Sequence, residues 1–157
     1  MDSEHPDRGA KKRTLRERFR EETAREILVA AEQVFTEQGL SGAAMSMIAE
    51  RAGVAVGTLY NRFKDREALL GALLDDRREE LLERLDEALA EVATEDLRTR
   101  VHAFVLTLLL EVEEHRPFLR LVFASEHAQS GREKMPRALR ERLDPLWKTA
   151  QASRQLR

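Results

Sequence analysis

The sequence predicts an all-α protein, made of a small N-terminal three-helix unit and a longer C-terminal helical body. Two observations predict this fold class. Leu and Ala dominate the aliphatic residues while charged residues make up 36% of the 157, a balance that favours helices with one apolar and one solvated face. Apolar residues also recur at spacings of three and four along most of the chain, the period of an amphipathic helix.

The first 20 residues are predicted to form a basic, disordered arm. Between Arg8 and Arg20 seven basic side chains accompany Glu17 as the single acid, and no apolar stripe begins before Leu15 and Phe19. The opposite charge lies in Asp75 to Asp96, where ten acids accompany three arginines. The chain therefore has a basic end and an acidic body.

Three helices are predicted after the arm. Glu22 to Gln38 has an apolar stripe at helical spacing, and Gly39 is placed to end that helix. A shorter helix follows at Ser46 to Ala52. A turn at Gly53-Val54 then leads into a third helix from Ala55 to Phe63.

The second and third of these helices fit a helix-turn-helix. That motif needs a small residue where the helices touch and a residue that tolerates left-handed backbone in the turn. Ala49 and Gly53, four apart, meet both needs, while Ile48 and Leu59 supply apolar contacts between the helices. Phe63 is expected to pack in the core.

The body is predicted to contain four more helices. Asp65 is a plausible N-cap for the first, which runs to about Val92. After a break near Thr94, the second carries six apolar residues at helical spacing, and Pro117 begins the third. Ser130-Gly131 marks a loop, and a last helix starts near Pro136, with Pro145 expected to kink or interrupt it. The apolar positions of the second body helix are Val101, Phe104, Val105, Leu108, Leu109 and Val112.

A continuous motif in the head carries a family resemblance. Residues 48–63 read IAERAGVAVGTLYNRF and are followed at 65–70 by DREALL. This run resembles the TetR family of transcriptional regulators, whose signature is Ile-Ala-x-x-Ala-Gly-Val-x-x-Gly-Thr-Leu-Tyr-x-His-Phe and then Lys-Glu-x-Leu. The resemblance covers Glu22 to about Leu74, so we predict a basic arm at 1–20, a DNA-binding head at 21–74 and a ligand-binding or dimerisation body, complete or truncated, at 75–157.

The resemblance implies that the helix from Ala55 to Phe63 enters the major groove of DNA. Hydroxyl, amide and cationic side chains there can reach phosphates and base edges, and the arm can add phosphate or minor-groove contacts or be a tail without a role. Arg62 stands where the family usually has His or Tyr, and Arg66 stands where it usually has Lys. Both arginines can still donate hydrogen bonds. Ala43, Ala44 and Met45 stand where the family commonly has hydroxyl residues that cap the second helix and touch phosphate, which leaves Ser46 as the nearest candidate. The predicted DNA-binding residues are Ser46, Ala55, Gly57, Thr58, Tyr60, Asn61, Arg62 and Lys64.

For the body, the resemblance implies a ligand pocket and a dimer interface. The candidate pocket residues are Phe104, Leu108, His115, Phe118 and Trp147, although aromatic residues more often fill a core. A metal site at Glu111 and His115, four apart on one helical face, can be imagined, but we expect no metal and no cofactor because such groups are usually solvated on a polar face.

The sequence also excludes several classes of protein. The chain has no cysteine, which removes disulfides and thiolate metal sites. Its most apolar stretch, Val105 to Leu110, is much shorter than the ~20 residues of a membrane span, and its N-terminus is charged rather than apolar. We therefore expect a cytoplasmic protein. Nothing resembles a nucleophile beside a base, a phosphate-cradling glycine loop or an apolar carboxylate pair, so no enzyme is expected.

Two hypotheses for function remain. The first is a homodimeric repressor that binds a palindromic double-stranded DNA operator and is released by a small apolar or amphipathic ligand. The second is a truncated interaction module that pairs with a full-length relative. The first requires two heads in fixed geometry, because the half-sites of an operator lie about one DNA turn, ~34 Å, apart.

Overall fold

A computed structural model describes residues 15–125 and 134–152, and in these ranges the chain forms seven helices and no strands. The all-α prediction is confirmed. The helices are α1 (Leu15–Gly42), α2 (Met45–Arg51), α3 (Val56–Arg62), α4 (Arg66–Glu91), α5 (Leu97–Glu114), α6 (Arg116–Phe123) and α7 (Lys134–Ala152).

Helix α1 begins earlier than the sequence suggested and breaks where it predicted. Residues 15–20, assigned to the arm, are the first turns of α1, and the rest of the arm lies outside the described residues. The break falls at Gly39, which has a φ of 75° and a ψ of 163°. Glycine adopts that backbone conformation without the steric cost that a Cβ imposes.

The head is built around the buried face of α1. Ile27, Ala31 and Phe35 have no exposed surface, and apolar side chains from α2, α3 and α4 pack on them. Helix α6, more than 40 residues beyond the head in sequence, also contributes Phe118 and Val122 to this core. The hydrophobic core thus crosses the boundary drawn at residue 74.

The body is a second, smaller packing unit. Leu81 and Leu85 of α4 and Phe104 of α5 are buried together, with Leu108 of α5 and Leu139 of α7 partly buried against them. Six other apolar side chains of α5 are exposed, although the sequence pattern placed four of them on the same helical face as Phe104 and Leu108. These exposed residues are Val101, Val105, Leu106, Leu109, Leu110 and Val112, between 40% and 60% accessible.

Two local helix signals, at Asp65 and Pro145, have different outcomes in the structure. The Asp65 carboxylate accepts a hydrogen bond of 2.8 Å from the backbone N–H of Ala68, so the predicted cap is confirmed. Of the two outcomes expected at Pro145, a kink or an interruption, the interruption is wrong, because α7 continues through Pro145 to Ala152. Leu146 and Ala150, which follow the proline, are buried, so packing holds the helix across the missing hydrogen bond.

Head and body are joined by a junction in which α1 meets α4 and α6. The rings of Phe35 and Phe118 lie 6.5 Å apart between centroids. Beside them, Glu32 of α1 accepts a hydrogen bond of 2.7 Å from Arg77 of α4 and lies 2.7 Å from Nδ1 of His115. No helix in the described part of the chain is long and apolar enough to cross a membrane.

Candidate nucleic-acid interface

Helices α2 and α3 cross at the small residues that the sequence singled out. Ala49 is fully buried, and its carbonyl accepts a hydrogen bond of 2.9 Å from the N–H of Val54. Gly53 lies between them with a φ of 67°. A residue with a Cβ would be strained at that φ, so the tight turn between the helices depends on Gly53.

Helix α3 is anchored on one side and exposed on the other. Leu59 is fully buried, and Phe63 at its C-terminal end is half-buried against the head core, as expected for a packing aromatic. The residues of this segment that are predicted to bind DNA are all exposed, including Tyr60 at 50%. We call these exposed residues the reading face: Ala55, Gly57, Thr58, Tyr60, Asn61, Arg62 and Lys64.

Ser46, the remaining predicted DNA-binding residue, does not cap α2. The residue at the cap position is Ala44, and no side chain makes a capping hydrogen bond there. Ser46 instead occupies the first turn of α2 with an exposed side chain. Its hydroxyl is therefore free to face a DNA phosphate but does not stabilise the helix end.

Two arginines without a role in the sequence analysis connect helices of the head: Arg51 joins α2 to α1, and Arg66 joins α4 to α1. Arg51 of α2 donates hydrogen bonds of 2.9 and 2.8 Å to the two carboxylate oxygens of Glu37 in α1. The hydrogen bond from Arg51 holds the pKa of the Glu37 carboxyl below its usual value. Arg66 donates a bond of 2.7 Å to the carbonyl of Ser41. Partners 14 and 25 residues apart leave no local sequence signal.

Gly57 differs from Gly53 because neither its backbone conformation nor its packing in the free protein requires a glycine. Its φ is not in the left-handed region, its position is exposed, and no atom beyond its chain neighbours and the nearby backbone of its own helix lies within 4 Å of where a Cβ would stand. Glycine inside a helix is destabilising by roughly 0.5–1 kcal/mol relative to alanine. An absent side chain at this point is useful only if a partner approaches the backbone of α3.

The start of α1 lies next to the reading face. Phe19 and Thr23 of α1 line a cleft of about 570 Å³ together with Thr58, Asn61 and Arg62 of α3. Phe19 is 65% exposed. The described start of α1 therefore lies beside α3.

Comparison with known proteins agrees with this geometry. Residues 27–73, which contain the buried face of α1 and the complete helix-turn-helix, match the family model described as bacterial regulatory proteins of the TetR family. The chain belongs to the TetR family.

Curated relatives of this TetR-family chain are named as regulators. The transcriptional activator FasR of Mycolicibacterium smegmatis is 32% identical over 108 residues, which cover 69% of this chain and 48% of FasR. The fatty acid metabolism regulator protein of Bacillus subtilis is 39% identical over 69 residues, 44% of this chain and 36% of that protein. The chain spans about half of the first relative and about a third of the second. Both are named as regulators rather than enzymes, as predicted for this chain.

Solved structures extend the likeness into the body. A TetR-family transcription regulator from Shewanella sp. PV-4 superposes with a TM-score of 0.68 and 27% identity, covering 83% of this chain and 71% of that one. The fatty acid degradation regulator FadR of Bacillus halodurans superposes with a TM-score of 0.63 at 24% identity. The TetR-type arrangement of a helix-turn-helix head on a helical body is therefore the fold of this chain.

The structure places the five predicted pocket residues of this TetR-family chain in different surroundings. Phe104 and Leu108 pack in the body core, Phe118 is 1% exposed in the head core, and Trp147 is 58% exposed. His115 lies at the junction between α5 and α6. The large cleft at this junction, about 860 Å³, touches His115 and Phe118 but is lined mainly by charged residues of α1 and α4.

Proposed function

We propose that this chain is a sequence-specific DNA-binding regulator of transcription that inserts α3 into the major groove. The observation that supports this most strongly is the reading face. One fully buried leucine, Leu59, fixes α3 to the head, while the seven residues of the reading face are exposed to solvent. A helix held by one face and presenting donors on the other is the geometry that reads base edges.

The charge distribution supports a phosphate-bound complex. The segment from Ala55 to Lys64 contains Arg62 and Lys64 and no acid, whereas Asp75 to Asp96 carries ten acids. DNA phosphates therefore meet the basic side of the molecule and are kept from the acidic side. Binding should weaken steeply with added salt, since each phosphate contact releases a condensed counterion.

A homodimer on a palindromic operator completes the proposal. The exposed apolar stripe on α5 supports association with another helical body. Leu109 and Leu110 are each about 60% accessible, and covering such apolar side chains lowers the free energy of the complex. The same stripe fits the alternative, in which the chain pairs with a longer relative and blocks it. Mixing experiments separate the two.

Release by a small apolar or amphipathic ligand is the regulation we propose. The names of the Bacillus subtilis and Bacillus halodurans proteins refer to fatty acid metabolism and degradation, and fatty acids belong to this chemical class. We propose repression as the sign of regulation, although FasR is named an activator. A regulator that binds chromosomal DNA works in the cytoplasm.

The test is selection from randomised duplex DNA at two salt concentrations. We compare the wild type with Tyr60→Ala and Lys64→Ala, and with Lys148→Ala as a control that removes an exposed cation from α7. The wild type and the control should select one palindrome, and the two reading-face variants should lose it while remaining helical by circular dichroism.

A folded wild type that selects no sequence contradicts the proposal for this chain alone. Sedimentation of the protein alone, and mixed with a full-length relative, then tests the alternative. A homodimer that persists on mixing supports the regulator, whereas a monomer that forms a heterodimer favours the interaction module.

A further inference from the structure

The junction brings together three side chains with metal-ligand chemistry. Glu111 and Glu114 lie in the last turns of α5, and His115 follows directly, so that one ligand atom from each lies within 4.8 Å of the others. The sequence pattern suggested solvated groups, but Glu111 is only 5% exposed, and the His115 side chain is 13% exposed. The reason for expecting no metal at these residues therefore does not hold.

His115 is held in the manner of a metal-binding histidine. Its Nδ1 lies 2.7 Å from a carboxylate oxygen of Glu32, while its Nε2 is buried and has no hydrogen-bond partner. A histidine that binds a metal usually donates its other ring N–H to a carboxylate, which fixes the tautomer and orients the ring. Because Glu32 engages Nδ1, Nε2 is the nitrogen that remains for a metal ion.

A positive charge already occupies the carboxylate side of this cluster. Arg84 of α4 pairs with Glu111 and, at 3.0 Å, with Glu114. It also pairs with Glu80 at 2.8 Å, and its side chain is 41% exposed. Arg84 can thus swing toward Glu80 and solvent while another cation neutralises the buried carboxylate of Glu111, which is costly to leave unpaired.

We propose that Glu111, Glu114 and His115 bind a zinc ion at the junction of head and body, in place of the Arg84 guanidinium. One imidazole and two carboxylates are ordinary zinc ligands, and a water completes a tetrahedron. With bonds of about 2.0–2.2 Å, tetrahedral ligand atoms stand roughly 3.3–3.6 Å apart. The three ligand atoms, which lie within 4.8 Å of one another, would have to move closer together by side-chain rotation to bind one ion.

The site would link the two parts of the molecule. Its ligands lie where α5 turns into α6, and the second partner of His115, Glu32, lies on α1 in the head. Glu32 also accepts a hydrogen bond from Arg77 of α4. A bound ion would therefore tie α5 and α6 to α1 through one imidazole ring and raise the melting temperature of the chain.

The experiment is titration of the full metal-free chain with Zn²⁺, followed by calorimetry and by the melting temperature. We expect one ion per chain. Glu114→Gln is the main variant because this residue is 54% exposed and its replacement leaves the core intact; it should weaken zinc binding more than tenfold. Its matched control is the neighbouring Glu113→Gln, 71% exposed, which should bind like the wild type.

Two further variants test the histidine. Glu32→Gln removes the carboxylate that pairs with both Nδ1 of His115 and Arg77, and it should weaken zinc binding about 10- to 100-fold. A chain in which the other three histidines, His5, His102 and His127, are replaced by glutamine should bind zinc like the wild type. Co²⁺ in this single-histidine chain should give the visible absorption of a four-coordinate site.

Equal zinc affinity in Glu114→Gln and Glu113→Gln overturns the proposal, as does loss of binding in the single-histidine chain. Weak binding of several ions per chain, unchanged in every variant, indicates exposed carboxylates only and also overturns it. None of these measurements involves DNA, so their failure is separate from that of the proposed function.

Discussion

Replacing Gly57 by alanine should separate the needs of the fold from those of DNA binding. Gly57 lies in α3 at an exposed position with no positive φ and with open space where a Cβ would stand. Nothing in the free protein opposes a methyl group there. If the backbone of α3 lies against DNA, the same methyl group would clash with the DNA at that contact.

The two effects have opposite signs and measurable sizes. Alanine in a compatible helical position raises the free energy of unfolding by about 0.4–1 kcal/mol relative to glycine. For a chain of this length, that free energy raises the melting temperature by roughly 1–4 °C. A methyl forced into a packed contact costs about 1–3 kcal/mol. Affinity for the operator should fall by a factor of roughly 5 to 150 per head.

The assay pairs thermal unfolding with operator binding in the same buffer, using the sequence selected by the wild type. Gly71→Ala is the matched control, because Gly71 is also an exposed helical glycine with open space for a Cβ but lies outside the reading face. It should raise stability without changing affinity. Gly53→Ala should lower stability by about 1–2 kcal/mol, since Gly53 has a φ of 67°.

Wild-type affinity in a stabilised Gly57→Ala variant would refute the inference that DNA approaches α3 at this residue. Loss of stability in that variant would show that the helical conformation assigned to Gly57 is wrong. An equal loss of affinity in Gly71→Ala would place the effect in the fold and not at the contact.

Two further predictions concern stability. Asp96→Ala should cost about 1 kcal/mol in urea unfolding because it removes the side-chain cap that accepts a hydrogen bond from the N–H of Thr99, while Asp96→Asn should cost little; equal losses would contradict the cap. Burial acts to raise the pKa of Glu80, but Arg77 and Arg84 outweigh it and hold that pKa below the ordinary 4.5. The stability that Glu80 adds is therefore present above pH 4.5 and lost as pH falls through the lowered pKa. The difference in unfolding free energy between wild type and Glu80→Gln should shrink below about pH 4.5. A difference that does not depend on pH would refute this link between the Glu80 charge and stability.

Features governed by neighbouring residues were predictable from the chain alone. The left-handed turn at Gly53, the break at Gly39 and the cap at Asp65 each depend on a few consecutive residues. The same holds for the exposed side of α3, because the period of a helix separates Leu59 from Tyr60 and Asn61. The residues proposed to read DNA follow from this pattern together with the family motif.

Features that depend on distant partners were not predictable. The sequence indicates that Phe118 is apolar and helical, but only the folded chain packs it against Phe35, 83 residues earlier. Burial of Glu111 is decided in the same way, by the packing of α4 and its Arg84.

The sequence by itself therefore determined the helices, the turn and the face that α3 presents, because local sterics and periodicity act between neighbours. Tertiary structure alone decided which helices share a core, that α7 continues through Pro145, and that Glu32 and His115 meet at the junction. A helical pattern identifies an apolar face but not its partner, and the free energy of packing is set by that partner.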